Sequence, residues 1–150
     1  MTEQHDSEEL AERRPLGLNL LTGLYAFFFL VTFSTVGHPF PFMGKIYTDS
    51  TAQVLVFIDS LICLYLVLGL VKRQYLTWYL LIGYNLFEIG NTIVNLAVIR
   101  PAELERIAGE SVNQEAVLVN NIIVALTILL LTQFIYRHRA YFTNRRIMLF

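Results

Sequence analysis

Four apolar runs, separated by short polar stretches, organise this chain. The first, Leu16 to Gly37, carries no charge. Its 22 residues are enough to cross a hydrocarbon core of about 30 Å. His38-Pro39-Phe40-Pro41-Phe42 breaks the helix, because prolines cannot continue the backbone ladder. The connection runs on as a loop through Lys45, Tyr47, Asp49 and Ser50. The second run, Ala52 to Val71, has Asp59 as its one charge. Lys72-Arg73-Gln74 is a tight turn, so the second and third helices should be antiparallel neighbours. The third run, Tyr75 to Val98, contains Glu88. In the polar connection that follows, Pro101 and the sequence AELERIAGE predict a short surface helix at the membrane interface. The fourth run, Ala116 to Tyr136, carries Asn120 and Asn121. The expected fold is all-α: an antiparallel four-helix transmembrane bundle with helices at about 16–37, 52–71, 75–98 and 116–136. Residues 1–15 form a polar N-terminal segment, 16–136 the membrane domain and 137–150 a basic tail.

The third run departs from what a membrane demands. Between Tyr84 and Asn95 it carries Asn85, Glu88, Asn91, Thr92 and Asn95. At about 100° per residue these fall within roughly a third of a helix circumference, centred on Glu88. Leu81 and Tyr84 share that arc, whereas Leu86, Phe87, Ile89, Ile93 and Val94 lie opposite. A polar stripe inside a bilayer must turn toward protein or trapped water.

Composition supports a membrane protein. The chain is 55% hydrophobic and 15% charged, against a usual charged share of about a quarter. The net charge of −1 hides a segregation of charge into the segments outside the apolar runs. Eight of the 11 Lys and Arg residues lie in the N-terminal segment, the 72–73 turn and the tail; Lys45, Arg100 and Arg106 lie in the opposite loops. Both termini should therefore be cytoplasmic. The acidic N-terminus is unlike a basic secretory n-region, so the first helix is expected to be retained. The single cysteine, Cys63, excludes an internal disulfide and a Cys-rich metal site. Coincidences at an offset of 60, such as Gly23/Gly83 and Phe27/Phe87, hint at a two-helix repeat, but the polar positions do not repeat.

The polar groups gather at one depth. Asp59 lies about 10 Å in from the outer end of its helix, Glu88 about ten residues in, and Asn120 about five. Thr32, Ser34 and Thr35 occupy the outer part of the first helix, and Asn113, Asn120 and Thr127 share a seam of the fourth. No Lys or Arg falls within any apolar run. An ionised carboxylate there would cost at least a few kcal/mol. Protonation, hydrogen bonds from Asn, Tyr or water, or a bound cation can relieve that cost. Glu88 and Asp59 are thus candidate proton or cation ligands, and Asn85, Asn91, Asn95 and Asn120 candidate solute ligands. The competing role for the asparagines is interhelical hydrogen bonding, at about 0.6 kcal/mol per bond on average. His38, beside two prolines, reads as a loop residue, and Cys63 as a packed small one.

There is no G-x-S-x-G, H-E-x-x-H, C-x-x-C or phosphate loop. No catalytic residue, metal or cofactor is expected. The start Arg14-Pro15-Leu16-Gly17 and the tail Tyr141-Phe142-Thr143-Asn144-Arg145 resemble those of uncharacterised small four-pass membrane proteins of bacteria and archaea. The resemblance spans most of the chain. It implies that topology and an integral location in the cytoplasmic (inner) membrane, and no activity. The expected function is an outward-facing polar intramembrane site that binds or moves a small solute, proton or cation. The expected partners are the lipid bilayer and a homo-oligomer or larger membrane complex, with no nucleic acid. The alternatives are a non-catalytic accessory subunit of a larger complex and, behind it, an intramembrane enzyme acting on lipid or quinone.

Overall fold

The computed structural model describes residues 15–145. The polar N-terminal segment before Pro15 and the tail beyond Arg145 lie outside the described residues. The order of elements is α1 (Leu16–Ser34), β1 (Phe40–Phe42), β2 (Lys45–Tyr47), α2 (Ser50–Val71), α3 (Tyr75–Val98), α4 (Pro101–Ala108), α5 (Gln114–Arg137) and a 3₁₀ turn (Arg139–Tyr141). Helices α1, α2 and α5 are each long and apolar enough to cross a membrane. Together α3 and α4, bent by 97° at their junction, make a fourth candidate span. Three to four such helices mark an integral membrane protein.

Polar side chains set the helix ends, and they move several expected boundaries. Helix α1 stops at Ser34, three residues short of Gly37. Ser34 and Thr35 hydroxyls donate to the carbonyls of Val31 and Thr32 at 2.7 Å each, and Gly37 turns the chain at φ 85°. Helix α2 starts at Ser50, not Ala52, because the Asp49 carboxylate accepts from the Thr51 N–H at 2.9 Å. That bond holds the exposed Asp49 carboxyl below its usual range. Helix α5 starts at Gln114 for the same reason: Asn113 caps the Ala116 N–H at 3.0 Å. Asn113 therefore belongs to the cap and not to the α5 seam. The short helix α4 forms as its sequence predicts, with Gly109 closing it at φ 74°.

The expected loop after α1 is instead an antiparallel hairpin, with Phe40 opposite Tyr47 and Phe42 opposite Lys45. Its turn places Met43 and Gly44 at φ 48° and 81°. A Cβ at Gly44 would lie 2.9 Å from the Val98 side chain, so the turn sits directly on the end of α3.

Distant contacts run antiparallel between helices. Gly69 packs on Thr77 and Cys63 on Tyr84 between α2 and α3; Trp78 meets Ile135 and Asn85 meets Thr132 between α3 and α5. The core lies toward the α2–α3 turn, where Leu18, Leu21 and Tyr25 of α1 join Leu66, Leu70, Trp78, Leu81, Ile135 and Phe142. Trp78 donates to the Ile135 carbonyl at 2.9 Å and is 6% exposed, a core residue more than a surface anchor. The tail closes this end. Arg73 Nε donates to the Tyr141 carbonyl at 2.9 Å, and the Asn144 and Tyr75 amides bond across to Arg73 and Asn144 at 3.0 and 2.7 Å. The described part of the tail is thus folded onto the turn, and Arg139 lies over the Tyr75 and Trp78 rings at 4.9 and 5.1 Å.

Candidate functional site

Toward the hairpin the helices part. At the turn end α1 and α5 meet, where Gly17 lies against Phe134 and Tyr141. Farther along, a cavity of about 780 Å³ separates them. Helix α3 forms its floor with Tyr84, Asn85, Glu88 and Asn91. Phe28, Val31 and Thr32 of α1 and Asp59 of α2 form one wall, and α5 the other, from Gln114 to Ile128. Phe40 and Pro41 of the hairpin and Leu104 of α4 lie at the far end. The walls are mostly apolar, and the polar groups concentrate on the floor and beside it. No Lys or Arg lines the cavity among the described residues.

Asp59 and Glu88 reach this cavity from two helices. Tyr84 ties Asp59 to the scaffold. Its hydroxyl donates to Asp59 Oδ1 at 2.8 Å and lies 3.3 Å from Cys63 Sγ. Thr32 approaches Asp59 from α1, and Asn91 approaches Glu88 from one turn along α3. Both acids are half-buried. Hydroxyls and an amide supply their partners, and no cationic side chain of the lining opposes them. Two carboxyls lining one cavity can each take up a proton or together serve a cation.

The asparagines divide by use. Asn85 is buried; its carbonyl accepts from Tyr25 at 2.6 Å and its amide donates to Thr132 at 3.0 Å, joining three helices. Asn91 Oδ1 accepts from the Met43 N–H at 2.8 Å, and Asn95 Oδ1 from the Gly44 N–H at 2.7 Å. Asn95 also donates to the Pro41 carbonyl at 3.3 Å. These two side chains therefore hold the hairpin turn while lining the cavity. Asn120 is exposed and does not line it; its neighbour Asn121 does, with its amide donating to the Val117 carbonyl at 2.8 Å. His38 is exposed in the loop after α1.

The structure brings Asp59, Glu88, Asn85, Asn91 and Asn95 to one cavity and leaves Asn120 outside it. Sequence reasoning did not single out Tyr84 or Thr32 as ligands of Asp59. Tyr84 carried a usable signal, since it precedes Glu88 by four residues on the same arc. Thr32 was visible only as a hydroxyl at the right depth. Asn121 against Asn120 is a choice of helix face, and α5, apolar almost all round, offers no periodicity to decide it. Comparison with protein-family models, with curated proteins and with solved structures finds no match.

Proposed function

We propose that this is a membrane protein of four antiparallel transmembrane helices with both termini cytoplasmic, whose outward-facing cavity binds or moves a small solute together with a proton or cation. One observation carries this: Asp59 and Glu88 share a cavity of about 780 Å³ that no Lys or Arg lines among the described residues. A carboxylate in a membrane interior is expensive without a counter-charge or a proton. Two of them beside one void make occupancy by a proton or cation the favourable state. The bias of Lys and Arg toward the N-terminal segment, the 72–73 turn and the tail supports the orientation. Use of Asn85, Asn91 and Asn95 in bonds within the chain leaves little of the α3 stripe for a partner helix. That favours a binding protein over an accessory subunit.

The test is labelling by a lipophilic carbodiimide, which modifies protonated carboxyls within membranes. Purified protein in lipid nanodiscs should be labelled at Glu88 or Asp59, and sodium or potassium ions, or a rise in pH, should suppress the reaction. Labelling should be lost in the Glu88→Gln, Asp59→Asn double variant. Absence of labelling at both acids, or labelling indifferent to pH and to cations, would sink the proposal.

A further inference from the structure

The cavity is larger than an inorganic cation requires. At about 780 Å³ it falls in the range of roughly 300–1,000 Å³ typical of pockets that enclose a drug-sized ligand. Its walls are of the wrong chemistry for a hydrated ion. Phe28, Val31, Phe40, Leu118 and Val124 present apolar surface, and the acids lie behind it, at α2 and α3. Val31 on α1 and Leu118 and Val124 on α5 line the cavity and are 45%, 49% and 43% exposed. They flank the gap between the two helices, beside apolar outer faces on which Leu30 is 62% exposed and Ile123 56%. The apolar part of the rim thus runs between α1 and α5, while the exposed Pro101 and Gln114 line the cavity at its α4 end.

We infer that the cavity takes a lipophilic cation, a positive group on an apolar body, admitted from the membrane between α1 and α5. This deepens the reading of the cavity as a binding site and rests on it. The cationic group would lie between Asp59 and Glu88, where it supplies the counter-charge that the lining lacks. The rings of Phe28, Phe40 and Tyr84 around the void suit such a group, because their faces attract cations. The apolar body would fill the space between α1 and α5 and exchange lipid contact for protein contact at little cost. A lipophilic anion would meet two carboxylates and no basic residue of the lining. A neutral lipid tail would leave the carboxylates without a counter-charge. Charge complementarity, volume and the position of the rim thus agree on one class of occupant.

The experiment compares tetraphenylphosphonium with tetraphenylborate, ions matched in size and shape and opposite in charge. Binding to the full chain in nanodiscs is followed by equilibrium dialysis. Tetraphenylphosphonium should bind saturably, at least tenfold more tightly than tetraphenylborate, and should protect Glu88 from the carbodiimide. Glu88→Gln and Asp59→Asn should each weaken it at least tenfold, with Glu88→Asp retaining most of the affinity. Val124→Trp, a rim substitution that leaves both acids in place, keeps the test open if a carboxyl variant fails to fold. It should weaken tetraphenylphosphonium at least fivefold while Glu88 still reacts with the carbodiimide. Equal binding of the two ions, or binding that survives both acid substitutions, overturns the inference. So does a stable dimer whose second copy fills the cleft and excludes the probe. Protection of Glu88 by sodium ions but not by tetraphenylphosphonium overturns it as well, and leaves the proton- or cation-binding proposal standing. Absence of carbodiimide labelling at both acids removes the two together.

Discussion

Asn85 illustrates what a single residue discloses. Its polarity inside an apolar run marked it, and its position on the Glu88 arc gave its direction. Its partner was hidden. Tyr25 lies in a helix whose few polar residues form no stripe, and nothing in the local pattern distinguishes it from Phe27 or Phe28. Only the packed structure brings its hydroxyl to Asn85 Oδ1 at 2.6 Å, with Thr132 completing the bridge. Asn85 lines the cavity, but its bonds make it a tie between α1, α3 and α5. In membrane proteins such ties average about 0.6 kcal/mol and reach about 1.7. This one is buried and short, so it should fall in the upper half of that range. A double-mutant cycle of Tyr25→Phe and Asn85→Ala, read by detergent-induced unfolding, should give a coupling of about 1 kcal/mol. Asn85→Ala should be the more costly single change, because it removes both bonds and strands the Tyr25 hydroxyl, whereas Tyr25→Phe removes one bond; Thr132 keeps its own bond to the Ile128 carbonyl at 2.7 Å in either case. A coupling indistinguishable from zero would mean that the bond contributes nothing to the fold.

The hairpin was the element that the sequence concealed. Three-residue strands are too short to display alternation, and Pro41 argues against a strand. The determinant lies elsewhere in the chain. Asn91 and Asn95, one turn apart on α3, accept from the Met43 and Gly44 amides, which a turn with two positive φ values would otherwise leave unpaired. The same stripe that was legible as polar was therefore serving an element that was not legible at all. The four apolar runs, by contrast, could be read closely, because length and hydropathy are properties of a segment and need no partner. Their ends shifted wherever a cap intervened, at Asp49 and Asn113. If the asparagines hold the turn, Asn95→Ala should free it locally. Hydrogen exchange at the Gly44 amide should accelerate by roughly 5–30-fold, the effect of losing about 1–2 kcal/mol of a bond whose donor is left unpaired. Amides in the middle of α3, such as Asn85, should exchange as before. Acceleration spread through α3 would instead assign Asn95 to the helix and not to the hairpin.

The molecule as a whole has two unlike ends. At the α2–α3 turn the chain is closed by a buried apolar cluster, by the clustered rings of Tyr75, Trp78, Tyr79 and Tyr136, and by the tail bonded to Arg73 and Tyr75. At the hairpin end it holds a void and two acids. A protein whose rigid packing lies at one face and whose cavity lies toward the other has a direction, and the sidedness of the membrane decides what that direction means. Lys72, Arg73, Arg137, Arg139 and Arg145 belong to the closed end, while Lys45, Arg100 and Arg106 belong to the other. On the proposed orientation, the closed end, which carries more of the positive charge, faces the cytoplasm. Ser111 and Thr143 are exposed at opposite ends, and Cys63 is fully buried, so it can stay in place as an unreactive internal control. In sealed, right-side-out membranes, an impermeant maleimide should label Ser111→Cys at once and Thr143→Cys only after permeabilisation. The reverse pattern would turn the cavity toward the cytoplasm. The acids would then meet the cytoplasmic leaflet, and any occupant of the cleft between α1 and α5 would have to be drawn from that side.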